Sequence, residues 1–300
     1  MVSRIISNRM NPFQERRSLV VTREHSAKKP RWSLWRTSGR VYLILMILFT
    51  YLPVVLMVAY SFYGGERAGV WREFSTDWYA KLLRNRSLQQ NLANSLKVAC
   101  TSSLLAILIG TAGAVGMTRS RFKGKDLLEN LAIAPLLLPE IVLGMAYLAL
   151  FTSLKLTFGL GTMIAAHTTF CVPYVFLNVQ SRLAGLDPHL VEAARDLGAS
   201  ESRAFRDITM PLIAPSIFSG AILAFAMSMD DVVISFFVKG VTSDTLPIRI
   251  HALTKVGVSA EIYALCSLML YVLIFCLVLY ILISKGIEWR RLKIDGGNIS

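Results

Sequence analysis

Six stretches of the chain stay apolar for twenty or more residues, with polar and charged segments between them. They are Val41–Phe62, Leu92–Met117, Leu127–Ser153, Leu160–Val179, Leu212–Val238 and Ile262–Ser284. An α-helix rising about 1.5 Å per residue crosses a hydrocarbon core of about 30 Å over such a length. The pattern predicts an all-α, polytopic membrane protein with six transmembrane helices. An even number of spans puts both termini on one side. Between the first two spans, Trp78, Leu82 and Leu83 alternate with Lys81, Arg84 and Arg86. That segment, Ser75 to Leu92, reads as a short amphipathic helix lying at an interface, with Trp78 and Tyr79 as interfacial aromatics.

Composition agrees: of 300 residues, 54% are hydrophobic and only 17% charged. The net charge of +13 would suit nucleic acid, but its distribution does not. Ten Lys and Arg precede the first apolar run. With the N-terminus inside, inner segments hold 22 Lys and Arg and outer segments 9. This asymmetry predicts both termini in the cytoplasm. The loop Arg119-Ser-Arg-Phe-Lys-Gly-Lys125 supports it independently, because its four charges are costly to translocate. The first apolar run is longer than a signal-peptide core and reads as an uncleaved span. Residues 1–40 are expected to be a basic, disordered tail, 41–284 the membrane domain and 285–300 a C-terminal tail. The four cysteines lie inside apolar runs without Cys-x-x-Cys spacing, and the four histidines are scattered. Neither a disulfide framework nor a metal site is expected. Gly110, Ala112, Gly113, Ala114 and Gly116 cluster in the second span and permit close helix contact. No Gly-Lys-Ser/Thr follows them, so this chain is expected to bind no ATP itself.

The segment between spans four and five, 186–211, is mixed polar and apolar. Asp187-Pro188 suits a helix start, Gly198 a helix stop and Ser200 a restart, with Pro211 entering span five. A solvated loop helix is one reading; a stiff element that docks into another protein is the other. Span five carries Ser228-Met-Asp-Asp231. Each carboxylate costs roughly 2.5–3.5 kcal/mol at mid-bilayer on insertion scales. Gly220, Ala224, Ser228, Asp231 and Ser235 recur at helical spacing, a small and polar stripe that would turn Asp231 towards a water-filled path. Asp230, about 100° away, would face a neighbouring helix or the path's edge. In span three, Glu140 follows Pro135 and Pro139, which favour a kink or local unwinding. These acids would be either a buried structural set or a cation path. An ammonium 4 Å from a carboxylate gains roughly 4 kcal/mol at an effective dielectric of 20.

Glu192-Ala193-Ala194, then Gly198, Ile208 and Pro211, resemble the signature loop of ABC importer membrane subunits, with Met210 where Leu is usual. The resemblance implies a coupling helix seated in a separate ATPase. The strings Leu223–Val233, His167–Pro173 and Lys255–Glu261 look like the C-type membrane subunits of spermidine/putrescine importers. From about Val41 to Ser284, that resemblance implies a type I (MetI-like) ABC importer permease fold in the bacterial inner membrane. It implies that Trp78, Glu140, Ser228, Asp230 and Asp231 take part in polyamine passage, with Glu140 where Asp is expected. It further implies no covalent chemistry and no cofactor in this chain. ATP and Mg would be used by two cytoplasmic ATPase subunits. A second permease, a paralogue, and an extracytoplasmic polyamine-binding protein docking near Trp78 and Val241–Ala260 would complete the importer. Three other readings stay open: an importer for an amino acid or iron, a proton-coupled carrier, and an intramembrane metal-dependent transferase. The last would need more clustered acids than Asp230-Asp231, and the carrier would leave the Glu192 loop unexplained.

Overall fold

The computed structural model describes residues 32–65, 73–120, 122–187, 189–257 and 260–296. Most of the basic N-terminal tail lies outside the described residues, as do residues 66–72, Arg121, Pro188, Val258, Ser259 and the last four positions.

Helix α1 spans Trp32–Tyr60 and begins within the segment expected to be disordered. Its side chains from Val41 to Leu56 are apolar nearly all round and mostly exposed, the pattern of a helix whose solvent is lipid. Up to Met57 it forms one unit, and a second unit runs from Val58 onward.

In the second unit, α2 (Asp77–Arg84) and α3 (Arg86–Arg119) replace the single amphipathic helix expected over Ser75–Leu92. Asn85 makes the break. Its side chain accepts from Leu88 N at 3.2 Å, capping α3, and donates to Glu261 Oε1 at 3.0 Å. The predicted third span is also two helices, α4 (Lys125–Leu137) and α5 (Glu140–Ser153), bent by 110°. Pro139 lacks an N–H and forces its predecessor out of the helical region, so Leu138 and Pro139 are extended, with ψ of 139° and 136°. Then follow α6 (Leu160–Ala184), α7 (His189–Asp196), α8 (Glu201–Ala204), a π-helical turn (Phe205–Thr209) and α9 (Met210–Asp230). The predicted fifth span likewise stops early: α9 ends at Asp230 and α10 (Val233–Val238) completes it. Last come α11 (Leu246–Val256) and α12 (Ala260–Gly296), the latter running well past Ser284. Among the described residues, five helices are long and apolar enough to cross a membrane, and the bent α4–α5 pair supplies a sixth crossing if it is one span.

The core lies where α3, α6 and α9 meet. Along α6, Thr162 Oγ1 donates to Val238 O at 2.8 Å, Cys171 Sγ to Ala224 O at 3.3 Å and Arg182 Nε to Leu212 O at 3.1 Å. So α6 runs antiparallel to α9 and α10 along its whole length. Val175, fully buried on α6, explains why two helices need glycine here. A Cβ at Gly220 would sit 2.9 Å from Val175 Cα, and one at Gly110 2.9 Å from its Cβ. The small residues of span two therefore do serve close packing, at Gly110 and the buried Ala114. A smaller cluster of Leu82, Leu88, Leu246, Ala264 and Leu265 ties α2, α3, α11 and α12 together beside Trp78.

Candidate functional site

Span five breaks at its acids. Asp231 and Val232 leave the helix, and Asp231 takes an extended ψ of 126°. Its carboxylate then caps α10, accepting from Ile234 N at 3.1 Å and Ser235 N at 2.7 Å. Short side chains that accept from the first turn's N–H groups stop and restart helices, and the same N-terminal dipole favours a negative charge. The small polar stripe is therefore real, but it points inward, onto α6 and α3. Ser228 is 5% exposed and Asp231 9%, and Ser235 is fully buried. His167 on α6 stands against all three, and Ser102 on α3 reaches Ser228 at 3.1 Å. Asp230, one residue earlier, is exposed.

Glu140 opens α5, in its first turn, and is exposed as well. Helices α5 and α10 pack so closely that a Cβ on Gly144 would collide with the Phe237 ring. Both helices finish beside the start of α6: α5 leads to it through six residues, and Val238 O accepts from Thr162 there. Gly144 and Phe237, each four residues beyond the first residue of its helix, meet, which brings the starts of α5 and α10 near one another. Glu140, the first residue of α5, and Asp230, the last residue of α9, are both exposed carboxylates beside a break. Among the described residues neither is in an ion pair. Trp78 lies beside the smaller cluster of Leu82, Leu88, Leu246, Ala264 and Leu265. It is half-buried on α2, its Nε1 donates to Tyr63 O at 3.1 Å, and Lys81 Nζ lies 4.1 Å from its ring centroid.

The loop joining α6 to α9 is built from local chemistry. Ala199 N donates to Ala194 O at 3.0 Å and Gly198 N to Arg195 O at 2.9 Å, with Gly198 at φ +86°. That is a Schellman ending, in which the residue four beyond Ala194 must take the left-handed conformation and is best a glycine. Ser200 Oγ caps α8 by accepting from Arg203 N at 3.4 Å. Pro211 cannot donate to the ladder, and the turn before it widens so that Met210 N bonds Phe205 O. Ile208 is half-buried inside this turn, whereas Glu192, Ala193 and Pro211 are exposed and Ala194 half-exposed. Leu197 projects at the tip, 90% exposed. His189 Nδ1 lies 3.0 Å from Glu192 Oε2, and that contact raises the His189 pKa above the ordinary 6.5.

Sequence reasoning missed two residues here. Arg119, at the end of α3, donates to Thr209 Oγ1 at 3.2 Å, approaches Glu201 Oε1 at 3.9 Å and covers the Phe205 ring at 4.7 Å. It was read only as an orienting charge. In the sequence His167 is one of four scattered histidines and the first residue of the His167–Pro173 string, with no role of its own. The signal that could have found it is that His167 is the one histidine inside its apolar run, while two other runs carry polar side chains, Ser102 and Ser228 among them, that pair with such a group away from water.

Residues 102–286 match the family model of the binding-protein-dependent transport system inner membrane component. The chain is 38% identical over 259 residues to the spermidine/putrescine transport system permease protein PotC of Shigella flexneri, covering 86% of this chain and 96% of that one. It is 39% identical over 245 residues to the putrescine transport system permease protein PotI of Escherichia coli strain K12, covering 79% and 86%. Among solved structures, a bacterial ABC transporter involved in the import of the acidic polysaccharide alginate superposes with a TM-score of 0.66 at 11% identity, over 85% of this chain and 98% of that chain. With its broken spans and helical loop, this chain belongs to the inner-membrane permease components of binding-protein-dependent ABC importers, which are transport subunits and not enzymes.

Proposed function

We propose that this chain forms half of the membrane path of a polyamine importer and that its α7–α8 loop is the handle by which a separate ATPase moves it. One observation carries the cargo assignment. Glu140 and Asp230 are exposed carboxylates, one just after and one just before the point where its span breaks. Uncompensated acids at membrane depth are costly and are kept for function. A chain of ammonium groups is the cargo that repeated single carboxylates pass along, and relatives named for spermidine and putrescine support that reading. Ser228 and Asp231 serve the path indirectly, by holding the break from which Asp230 emerges, and Trp78 serves at the entrance.

Two ATPase subunits, a second permease and an extracytoplasmic binding protein complete the assembly, with both termini of this chain in the cytoplasm. The excess of Lys and Arg in the corresponding segments supports that orientation. The capped, glycine-broken loop supports docking, because a stiff projection transmits displacement without absorbing it. In proteoliposomes of the full complex, spermidine uptake is expected to require ATP, and Asp230→Asn to raise its KM about ten-fold, the effect of losing about 1.4 kcal/mol. Equal KM values for the two proteins would remove Asp230 from the path. A cysteine at Leu197 is expected to react with an impermeant maleimide only from the ATPase side; labelling from the opposite side would reverse the topology.

A further inference from the structure

Of the described histidines, His167 alone is buried, at 1% exposure. It stands on α6 across from the α9–α10 break and touches both sides of it. Nδ1 lies 2.7 Å from Ser228 Oγ, before the break, and Nε2 lies 2.8 Å from Ser235 Oγ, after it. Nε2 is also 3.3 Å from Asp231 Oδ2, within the break. A neutral imidazole satisfies every member of this set. The carboxylate only accepts, so the nitrogen facing it carries a proton, and in the neutral ring Nδ1 then accepts from Ser228. Ser228 Oγ then accepts from Ser102 at 3.1 Å, extending the network to α3. The cap made by Asp231 fixes the first turn of α10 to Asp231 itself. It does not fix α10 to α9, because the extended link between them carries no helical ladder. His167 does so from a third helix.

We propose that His167 is a positioning residue for transport: by bridging Ser228 and Ser235 it sets the angle between the two halves of span five, and with it the place of Asp230. The uptake arm of its test rests on the polyamine reading; the distance arm does not. A histidine that merely fills and satisfies the core would change the yield of protein when replaced, and nothing else.

The complete importer is reconstituted with Cys100, Cys266 and Cys276 replaced by alanine and spin labels on cysteines at Ile222 and Phe236, both exposed and on opposite sides of the break. The parent protein is expected to show one narrow label-to-label distance. His167→Leu, which keeps bulk and makes no bridge, is expected to broaden or split that distance and to raise the KM for spermidine about ten-fold, with a smaller change in maximal rate. Ser235→Ala, a milder change if the leucine variant folds poorly, shifts both readouts the same way by about three-fold in KM. The double variant is expected to be no worse than His167→Leu, because both remove one bridge. An unchanged distance overturns the proposal, as does an unchanged KM with reduced yield, or additive losses in the double variant. If the parent importer moves no spermidine, the polyamine reading fails and the distance alone decides the bridge.

Discussion

Asp230 and Asp231 are adjacent, alike and differently employed. Asp231 is spent on two backbone N–H groups, a serine and a histidine, whereas Asp230 looks outward. Asp231→Ala is therefore expected to lower the thermal stability of the solubilised complex, the loss of a helix cap alone costing about 0.5–2 kcal/mol. A melting temperature unchanged from the parent would show that the cap is dispensable. At the loop, His189 is protonated to a higher pH than a free imidazole because Glu192 accepts from it. With a raised folded-state pKa, this contact contributes fully below the ordinary value and is lost as pH rises through the raised one. Glu192→Gln should bring the His189 titration back down, as read by NMR of its ring protons, and no movement would mean that the contact does not form. The polar stripe through Gly220, Ser228 and Ser235 was legible from spacing alone. Its direction was not, because spacing says which residues share a face and only the neighbouring helix says whether that face is open. The complementary group, His167, lies some sixty residues away.

At the level of elements, the α7–α8 loop was the most readable part of the chain. Its form is decided within a dozen residues by a Schellman glycine, a serine cap and a proline, each of which acts locally. Gly198→Val is expected to strain that ending by about 1–2 kcal/mol, since nothing crowds the site and only the left-handed conformation opposes a side chain. ATP hydrolysis should persist while spermidine moved per ATP falls; a normal ratio would count against the loop as a handle. Arg119 holds the far end of the same loop through Glu201, Phe205 and Thr209. Arg119→Ala should lower the same ratio without removing the ATPase from the purified complex, and loss of the ATPase instead would make Arg119 an assembly residue. The broken third span was half legible. Pro139 announced an interruption, but the 110° bend depends on how α5 is received by α10, and that contact joins residues nearly a hundred positions apart.

Over the whole molecule, the order of the long apolar helices followed from length and hydropathy. Which helices form the core did not, since every span is apolar enough to be inside. Small residues made the choice: Gly110 and Gly220 let α3 and α9 close on Val175 from two sides. Gly220→Val is expected to abolish recovery of assembled complex, because its branch would have to displace α6 backbone; normal recovery would show that this contact is looser than drawn. The paired breaks have a mechanical corollary. Two interruptions, each opening a helix that packs against the other, define a hinge line. For α5 and α10 to swing about that line like one leaf of a door, the latch on α6 must open first: the bonds of Thr162 to Val238 and of His167 to Ser235.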